Sequence, residues 1–311
     1  MALIKAQFEA GIDKQTTTYG AKGRWIDSKN VRFRTGLPEK IGGWSKVVTP
    51  ETRLCGVVRA TTAWVSLTGV RHLALGTDRK LYIYVEGRFY DITPIRLEAA
   101  LTNPFTTNGT TTVTVTHSSH GAAQGDFVTF DSFSAIDGLD MNNEFEVTEV
   151  VDGNSYKITH TSAASGSTSG GGGSGNAKYQ ITTGTNKASF GFGWGTGAWS
   201  DGTWNTPRTT SSIQLEASYW VFDTFGEDLL AIRNDDALYR WDLSGGTGTR
   251  AVKVSAAPGT NRFLLVSSPD RHVFLMGTET TIGSSGTQDD LFLRFSSQED
   301  FNTWAPSSTN T

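Results

Sequence analysis

Two histidines spaced three residues apart, His117 and His120, are the first candidates for metal chemistry in this sequence. A zinc site would need both imidazoles on one side of the chain and a third ligand beside them. The pair lies where a Thr/Val strand runs into Gly121, and strand positions three apart face opposite sides. We therefore expect a polar turn here and no metal site.

Carboxylates also cluster, in Asn234-Asp235-Asp236 and Asp289-Asp290, but neither stretch has the ligand spacing and closing Glu of a calcium loop. Three more, Asp91, Asp242 and Asp300, stand beside aromatic residues near expected strand ends. An Asp in such a place usually holds a turn by accepting hydrogen bonds from backbone N–H groups. No spacing places a carboxylate beside a nucleophile or a second carboxylate, so the sequence indicates no enzyme.

A Gly-rich segment, residues 188–209, could suggest a phosphate-binding loop, but turn residues follow it instead of a helix. We expect no cofactor. The segment is instead a candidate interface, because Trp contributes strongly to binding at interfaces. The alternative is that its rings cap a nearby core. Its aromatic residues are Phe190, Phe192, Trp194, Trp199 and Trp204.

The first 50 residues combine basic and aromatic side chains and form a second candidate interface, which could meet an acidic neighbouring ring. Such residues are also often simply solvated. The candidates here are Arg24, Trp25, Arg32, Arg34 and Trp44.

Three stretches repeat one pattern of apolar strand, polar turn and Leu/Tyr/Phe-rich strand: 71–84, 227–241 and 271–295. Recurrence of one supersecondary unit indicates an array whose members bury their faces against each other. The second and third copies start 44 residues apart, from Leu229 to Val273, close to the roughly 40–50 residues of a propeller blade. The pattern therefore predicts an all-β fold containing a β-propeller, partial within this chain.

Composition agrees with a β-protein rich in turns. The chain has 311 residues, of which 37% are hydrophobic, 35 are Gly and 9 are Trp. A net charge of −4 gives no basic footprint for tight nucleic-acid binding. The lone Cys55 excludes an intramolecular disulfide and is expected to be a buried, inert thiol. Without a signal-like or 18-residue apolar run, we expect a protein made in the cytoplasm.

The order of these features predicts four parts. Residues 1–50 form an extended segment, 51–98 the first part of the propeller, and 187–311 the second part. Between them, 99–186 read as an inserted small β-domain of short alternating strands. Its end, 162–176, is so rich in Gly and Ser that we expect a flexible connector or loop.

Two motifs resemble the tail nozzle proteins of short-tailed phages, also called tail tubular protein B or tail hub proteins. Residues 8–47 carry Gly-Ile-Asp, then Asn-Val-Arg-Phe-Arg, Gly-x-Pro-Glu-Lys and Gly-Gly-Trp, as the opening of those proteins does. Residues 292–306 carry Ser-x-x-Glu-x-Phe-x-x-Trp after a strand, as in the same proteins. The inserted region is similar to a β-module that decorates phage structural proteins.

The resemblance implies a structural virion component: a ring, usually hexameric, below the portal and its adaptor. Such a ring channels double-stranded DNA during ejection, without sequence-specific binding, and anchors tail fibres or spikes. It would be assembled in the host cytoplasm. Those proteins usually run longer than this chain.

Two other classes remain open on the residues alone. A carbohydrate-binding propeller used in host-surface adhesion would stack aromatic rings such as Trp199 and Trp204 on sugar faces. A hydrolase on the same scaffold would need a carboxylate pair at the central mouth of the propeller.

Overall fold

The structure, a computed structural model, describes residues 8–43, 54–183 and 217–305. The chain divides into two compact units, Met1–Glu51 and Thr52–Thr311. The described parts are built from β-strands, with two 3-10 turns, Leu243–Gly245 and Ser285–Thr287. The prediction of an all-β protein is confirmed. Across the described ranges, no helix is long and apolar enough to cross a bilayer.

In the first unit, β1 (Val31–Arg34) and β2 (Leu37–Lys40) form one antiparallel hairpin. The turn between them uses Thr35 and Gly36, which both have positive φ. Ala21 is the one buried residue among 8–43. The hairpin is therefore held mainly by backbone pairing and by side-chain contacts at its surface.

The described strands of the second unit form four antiparallel sheets. The seven-stranded sheet is named by its size, and the other three are numbered by their order along the chain. The first sheet consists of β3 (Val58–Val65), β4 (Arg71–Thr77), β5 (Leu81–Val85) and β6 (Arg88–Asp91). The seven-stranded sheet follows, with β7 (Ile95–Thr102), β8 (Phe105–Thr106), β9 (Thr112–Thr116), β10 (Phe127–Asp131), β11 (Glu144–Asp152), β12 (Ser155–Thr159) and β13 (Ser174–Gln180). The second sheet has β14 (Trp220–Phe225), β15 (Asp228–Arg233), β16 (Leu238–Trp241) and β17 (Val252–Lys253). The third sheet has β18 (Phe263–Val266), β19 (Val273–Met276) and β20 (Leu293–Phe295).

The three repeated stretches occupy equivalent places, as β4–β5, β15–β16 and β19–β20, each in its own sheet. Within each of these sheets the strands pair in chain order. The first strands lie side by side, β3 against β14 and β14 against β18. The three sheets are thus stacked in the order in which the chain forms them.

Two apolar cores join the stacked sheets. The core between the first and second sheets contains Ala74, Leu81, Ile83, Trp220, Leu229, Ala231, Tyr239 and Trp241. The core between the second and third contains Leu230, Ile232, Leu238, Leu264, Val273, Leu275 and Trp304. Successive strand residues face opposite sides, so β15 sends Leu229 and Ala231 to one core and Leu230 and Ile232 to the other.

The first and second sheets approach closely at Gly76 of the first sheet. A Cβ there would lie 2.6 Å from the Trp220 ring, so any larger residue would push that ring away. The Trp220 indole N–H donates to the Thr77 carbonyl at 2.9 Å. Glycine and tryptophan together therefore fix the separation of the first two sheets.

The same kind of side-chain hydrogen bond recurs at the turn of each repeated hairpin. The Asp78 carboxylate accepts from the Val57 N–H at 2.6 Å, and the Asn234 side chain accepts from the Tyr219 N–H at 3.0 Å. In the third sheet the Thr278 hydroxyl donates to Asn261 at 2.8 Å. Each turn residue is buried and ties its hairpin to the segment leading into the first strand of its own sheet.

The strand order of the seven-stranded sheet is β7-β13-β10-β11-β12-β9-β8. The two edge strands, β7 and β8, follow each other within one stretch of chain, 95–106, so the sheet must curl to bring its two edges together. It closes around its own core, which contains Phe105, Val115, Val128, Phe130, Tyr156 and Tyr179. The chain enters and leaves this sheet at one place, since the Ile181 N–H after β13 donates to the Pro94 carbonyl before β7 at 3.0 Å. The sheet begins at Ile95, four residues before the boundary expected from the sequence, because β7 pairs with β13 along its whole length.

The Gly/Ser stretch 162–176 differs from the flexible connector that its composition predicts. It packs within the curled sheet and ends in β13, with Ala164 buried. The Gly171 N–H donates to the Phe105 carbonyl at 2.8 Å, and the Gly172 carbonyl accepts from Ser134 N–H at 2.8 Å. Its glycines are needed for contact, since Gly172 has φ +99° and a Cβ there would lie 2.5 Å from the Phe105 ring.

This packing makes a substitution in the stretch costly. A Cβ at Gly175 would lie 2.5 Å from the Asp131 carbonyl oxygen and 2.7 Å from the Phe133 ring. We expect Gly175→Ala to lower the free energy of unfolding by about 2 kcal/mol through overpacking. Gly153→Ala is the control, because a Cβ there meets nothing within 4 Å. Equal unfolding midpoints for the two variants in urea would show that the stretch is a free linker.

Candidate functional site

The ten residues predicted as an interface divide between described and undescribed parts of the chain. Arg24, Trp25, Arg32 and Arg34 lie in the described part of the first unit. The others, Trp44, Phe190, Phe192, Trp194, Trp199 and Trp204, lie outside the described residues. The proposed sugar-stacking residues, Trp199 and Trp204, are among these, so the described structure provides no support for the carbohydrate-binding alternative.

In the first unit the basic and aromatic side chains interleave. The Arg24 guanidinium contacts Glu9 at 2.6 Å and Asp13 at 3.3 Å. The Trp25 ring lies 5.6 Å from Phe8 and 6.5 Å from Phe33, centroid to centroid. This grouping keeps large apolar surface at the exterior, as expected of a surface that binds a partner.

Two of the predicted interface residues, Arg32 and Arg34, lie on β1 of the hairpin. Arg32 pairs with Glu39 across the hairpin at 3.1 Å, while Arg34 lies opposite Leu37 next to the turn. The Arg32–Glu39 ion pair is exposed and contributes little to stability. The charge of this hairpin is therefore available at the surface.

A charge cluster that the sequence did not predict joins three sheets of the second unit. Lys80 of the first sheet contacts Asp91 of β6 at 2.8 Å and Glu144 of β11. Arg250, just before β17, contacts the same Asp91 at 3.1 Å and Glu144 at 3.9 Å. Gln180 adds a hydrogen bond to Glu144 at 2.5 Å. These five residues, the charge joint, tie the seven-stranded sheet to the first and second sheets.

The central cation of the charge joint, Lys80, is buried. Only 6% of the Lys80 side chain is exposed, and its ammonium lies 4.5 Å from the centre of the Phe127 ring. Next to it, Arg79 contacts Glu146 at 2.7 Å and donates to the Gly125 carbonyl at 3.0 Å. The residues of the charge joint are up to 170 positions apart in the sequence, from Lys80 to Arg250, so no local sequence motif could have predicted this cluster.

Asp91 is the anionic centre of the charge joint. Burial alone would raise the pKa of Asp91, but the charges of Lys80 and Arg250 and hydrogen bonds from Lys80 and Thr93 outweigh it. Its pKa therefore lies below the ordinary 3.8. Asp91 is ionised at neutral pH and is stabilised there by two cations.

Asp91 gives the stability a defined pH dependence. A carboxylate with a lowered pKa stabilises the fold fully above 3.8, and this contribution is lost as the pH falls through the folded-state pKa. We expect Asp91→Asn to be destabilised at neutral pH and to approach the unsubstituted protein below pH 3.8 in urea titrations. Asp126 is the counterpart, because burial raises its pKa, so the deficit of Asp126→Asn should grow as the pH falls. Parallel curves for both variants would contradict this.

The side chains of His117 and His120 form hydrogen bonds within the seven-stranded sheet. His117 Nδ1 lies 2.7 Å from the Tyr179 hydroxyl, which lies 3.0 Å from the Tyr156 hydroxyl. The His120 ring is bonded through Nε2 to the Asp152 carbonyl at 3.0 Å and through Nδ1 to the Ala122 N–H at 2.9 Å. Burial lowers the pKa of His117, assisted by the charges of His120 and Arg96. The turn expected from the sequence is thus a hydrogen-bonded one.

The acidic stretches also form turns. Asp235 accepts from Arg262 at 3.0 Å and from Gln288 at 2.9 Å, and Asp289 accepts from the Leu291 N–H at 2.9 Å. In the parts of the chain that the structure describes, no group of three or more His, Cys, Asp or Glu is placed to hold a metal ion.

The interpretation of Asp91, Asp242 and Asp300 as turn residues is confirmed. Each carboxylate accepts from the backbone N–H two residues ahead, at 2.9, 2.9 and 2.7 Å respectively. Cys55 differs from the buried thiol expected, since it is half-buried. Burial still raises the pKa of Cys55, which keeps the thiol protonated and unreactive.

The third sheet has an apolar side that faces away from the second sheet. On the third sheet, the side away from the second sheet carries six apolar residues: Phe263, Leu265, Phe274, Met276, Leu293 and Phe295. Four of these, Phe263, Leu265, Leu293 and Phe295, are exposed. Exposed apolar patches often mark interaction sites.

No family model matches the sequence, and no curated protein does. Among solved structures, the chain is similar to the phage phi92 endosialidase, at 14% identity and a TM-score of 0.24. The match covers 87% of this chain and 40% of that one, so this chain spans less than half its length. A likeness this low carries no argument about fold or activity.

Proposed function

We propose that this protein is a non-enzymatic structural component of a short-tailed phage tail. It forms a ring or nozzle below the portal and its adaptor, channels double-stranded DNA during ejection, and anchors tail fibres or spikes. The observation that carries the proposal is the stacking of three antiparallel sheets in chain order, with β3, β14 and β18 side by side. Stacking around first strands is how the blades of a β-propeller are arranged, so we read the three sheets as consecutive blades.

The nozzle motifs support the same proposal. In the second motif, Phe301 packs on Phe225 with centroids 5.3 Å apart, and Trp304 is buried in the core between the second and third sheets. The second motif therefore contributes two aromatic side chains to the contact between the second and third sheets, which suits a structural role. The motif of the first unit includes the Arg24, Trp25, Arg32 and Arg34 surface, which we assign to contact with a neighbouring tail protein.

The function we propose is mechanical. A channel for DNA needs a rigid wall, and the charge joint holds the seven-stranded sheet on the stacked sheets instead of leaving it on a tether. A net charge of −4 disfavours adhesion of DNA to the wall. The seven-stranded sheet is then a fixed projection suited to holding a fibre or spike.

Native mass measurement tests the proposal. We expect a sixfold species with a central channel in negative-stain images, because cyclic assemblies bury matching surfaces around a closed ring. A protein that stays monomeric at high micromolar concentration would contradict the ring. A glycan array is the companion experiment, since specific sugar binding would favour the carbohydrate-binding alternative.

A further inference from the structure

Two turns of the seven-stranded sheet are bonded to each other. The first, 117–122, follows β9, and the second, 152–155, joins β11 to β12. Asn154 accepts one backbone N–H of the first turn at its carbonyl, at 2.8 Å, and another at its side-chain oxygen, at 3.1 Å. The imidazole of His120 adds a third connection, since its Nε2 lies 3.0 Å from the Asp152 carbonyl oxygen.

The hydrogen bonds of His120 determine which ring nitrogen carries the proton. Nδ1 lies 2.9 Å from the Ala122 backbone nitrogen, which can only donate, so Nδ1 accepts and carries no proton. Nε2 faces the Asp152 carbonyl oxygen, which can only accept, so Nε2 carries the proton. Because only 1% of His120 is exposed, water cannot replace either bond. The closed arrangement therefore requires the neutral imidazole.

The surroundings of His120 also disfavour a charged ring. A second proton would sit on Nδ1 and point at the Ala122 N–H, so that bond would be lost. Arg96 of β7 donates to the His120 carbonyl at 2.9 Å and places a positive charge beside the turn. The Asp152 carboxylate is occupied by the Asn154 N–H at 2.8 Å and the Ser155 hydroxyl at 2.9 Å. The other titratable side chains around this turn are His117, Asp126, Tyr156 and Tyr179.

Two further histidines provide comparisons within the same chain. His272 has the opposite polarity: its Nδ1 lies 2.8 Å from the Ser296 carbonyl oxygen and must donate, so a charged ring would keep this bond. His160 has the same polarity as His120, with bonds of 3.0 and 3.2 Å, but these bonds are exposed and water can replace them. Burial and polarity together thus distinguish His120.

We propose that His120 is an acid-sensitive latch, which holds residues 117–122 on residues 152–155 while it is neutral and releases them when it takes up a proton. Histidine ordinarily takes up a proton at about pH 6.5. Because only the released form accommodates the proton, the closed form is fully stable above that pH and loses stability as the pH falls. With the proton excluded from the closed form, the released population rises about thirtyfold between pH 8 and pH 5. Release uncovers the buried Tyr156 ring, whose centre lies 4.9 Å from that of His120.

Hydrogen exchange of the Ala122 amide measures the release, because this amide exchanges only when its bond to His120 opens. After correction for the intrinsic effect of pH on exchange, we expect its protection factor to fall about thirtyfold from pH 8 to pH 5. The Ser296 amide is the internal control. It is bonded to the Val273 carbonyl at 2.9 Å, beside His272, and should keep its protection.

His120→Asn separates the latch from other titrating groups. The Asn side-chain oxygen can accept from the Ala122 N–H, but it takes up no proton. Asp126 accepts from the Ala123 N–H at 2.8 Å, and burial raises the pKa of Asp126, so any loss of protection due to Asp126 is present in the variant as well. We expect the variant to lack the thirtyfold fall, and His272→Asn to retain it. Equal pH profiles of Ala122 protection in the unsubstituted protein and a folded His120→Asn variant would overturn the proposal.

The imidazole nitrogen chemical shifts give a second test, which needs no variant. At neutral pH they should place the ring proton of His120 on Nε2 and that of His272 on Nδ1. A proton on Nδ1 of His120 would also overturn the latch. The latch is independent of the proposed function, since it concerns two turns within one sheet: a monomeric protein that shows the expected fall would keep the latch and refute the ring.

Discussion

Replacing Lys80 with Met should lower the free energy of unfolding by about 3 kcal/mol, the largest effect expected of any charged residue in the described chain. Lys80 lies between Asp91 and Glu144, with only 6% of its side chain exposed. Removing one partner from a buried ion pair leaves the other desolvated without compensation. Arg250 reaches Glu144 only at 3.9 Å and cannot fully replace the lost ammonium.

Urea denaturation at neutral pH measures this loss. Lys157→Met is the matched control: Lys157 also pairs with a carboxylate, Glu149 at 3.0 Å, but the Lys157 side chain is 35% exposed and that of Glu149 57%, so the expected loss is below about 0.5 kcal/mol. The double variant Lys80→Met/Glu144→Gln should be less destabilised than the sum of its single variants, because it removes the carboxylate left unpaired. A Lys80→Met protein as stable as Lys157→Met would mean that the charge joint does not hold the sheets together.

Trp220→Ala should be at least as damaging, with a loss of about 4 kcal/mol. The Trp220 side chain is buried between the first and second sheets, stacks on Phe222 at 6.2 Å and donates its indole N–H to Thr77. The substitution leaves a cavity and an unpaired buried carbonyl at the contact that sets the separation of the two sheets.

The matched control for Trp220 is Phe263→Ala, because both aromatics begin the first strand of a sheet but Phe263 is 48% exposed. Its loss should stay below about 1 kcal/mol when unfolding is followed at low protein concentration. Gly76→Ala should cost about 2 kcal/mol in the unsubstituted protein and much less beside Trp220→Ala, since the ring it would strike is gone. Equal costs of Gly76→Ala in both backgrounds would contradict the contact.

The repeated hairpins could be predicted from sequence because their information is local. Alternation of apolar and polar residues determines which side of a strand is buried, and turn residues such as Asp78 and Asn234 follow directly. The acidic turns were predictable for the same reason. The seven-stranded sheet begins at Ile95 and not at residue 99, the boundary expected from the sequence, because the pairing of Ile95 with Gln180 is not visible in either segment alone.

The Gly- and Ser-rich composition of one segment predicted a flexible connector or loop, although the backbone of this segment is closely packed. The stretch 162–176 has the content of a linker, yet its glycines let Phe105, Ile136 and Phe133 approach the chain closely. The charge joint was invisible for another reason. Lys80, Glu144 and Arg250 are ordinary surface residue types in the sequence, and only the curling of the seven-stranded sheet brings them together.

Electron cryomicroscopy of the purified, assembled protein tests the structural proposal most directly. We expect a closed ring of copies around an open channel, in which β3, β14 and β18 of each copy lie side by side. Isolated single copies, or a map in which these three strands belong to sheets that do not touch, would contradict it.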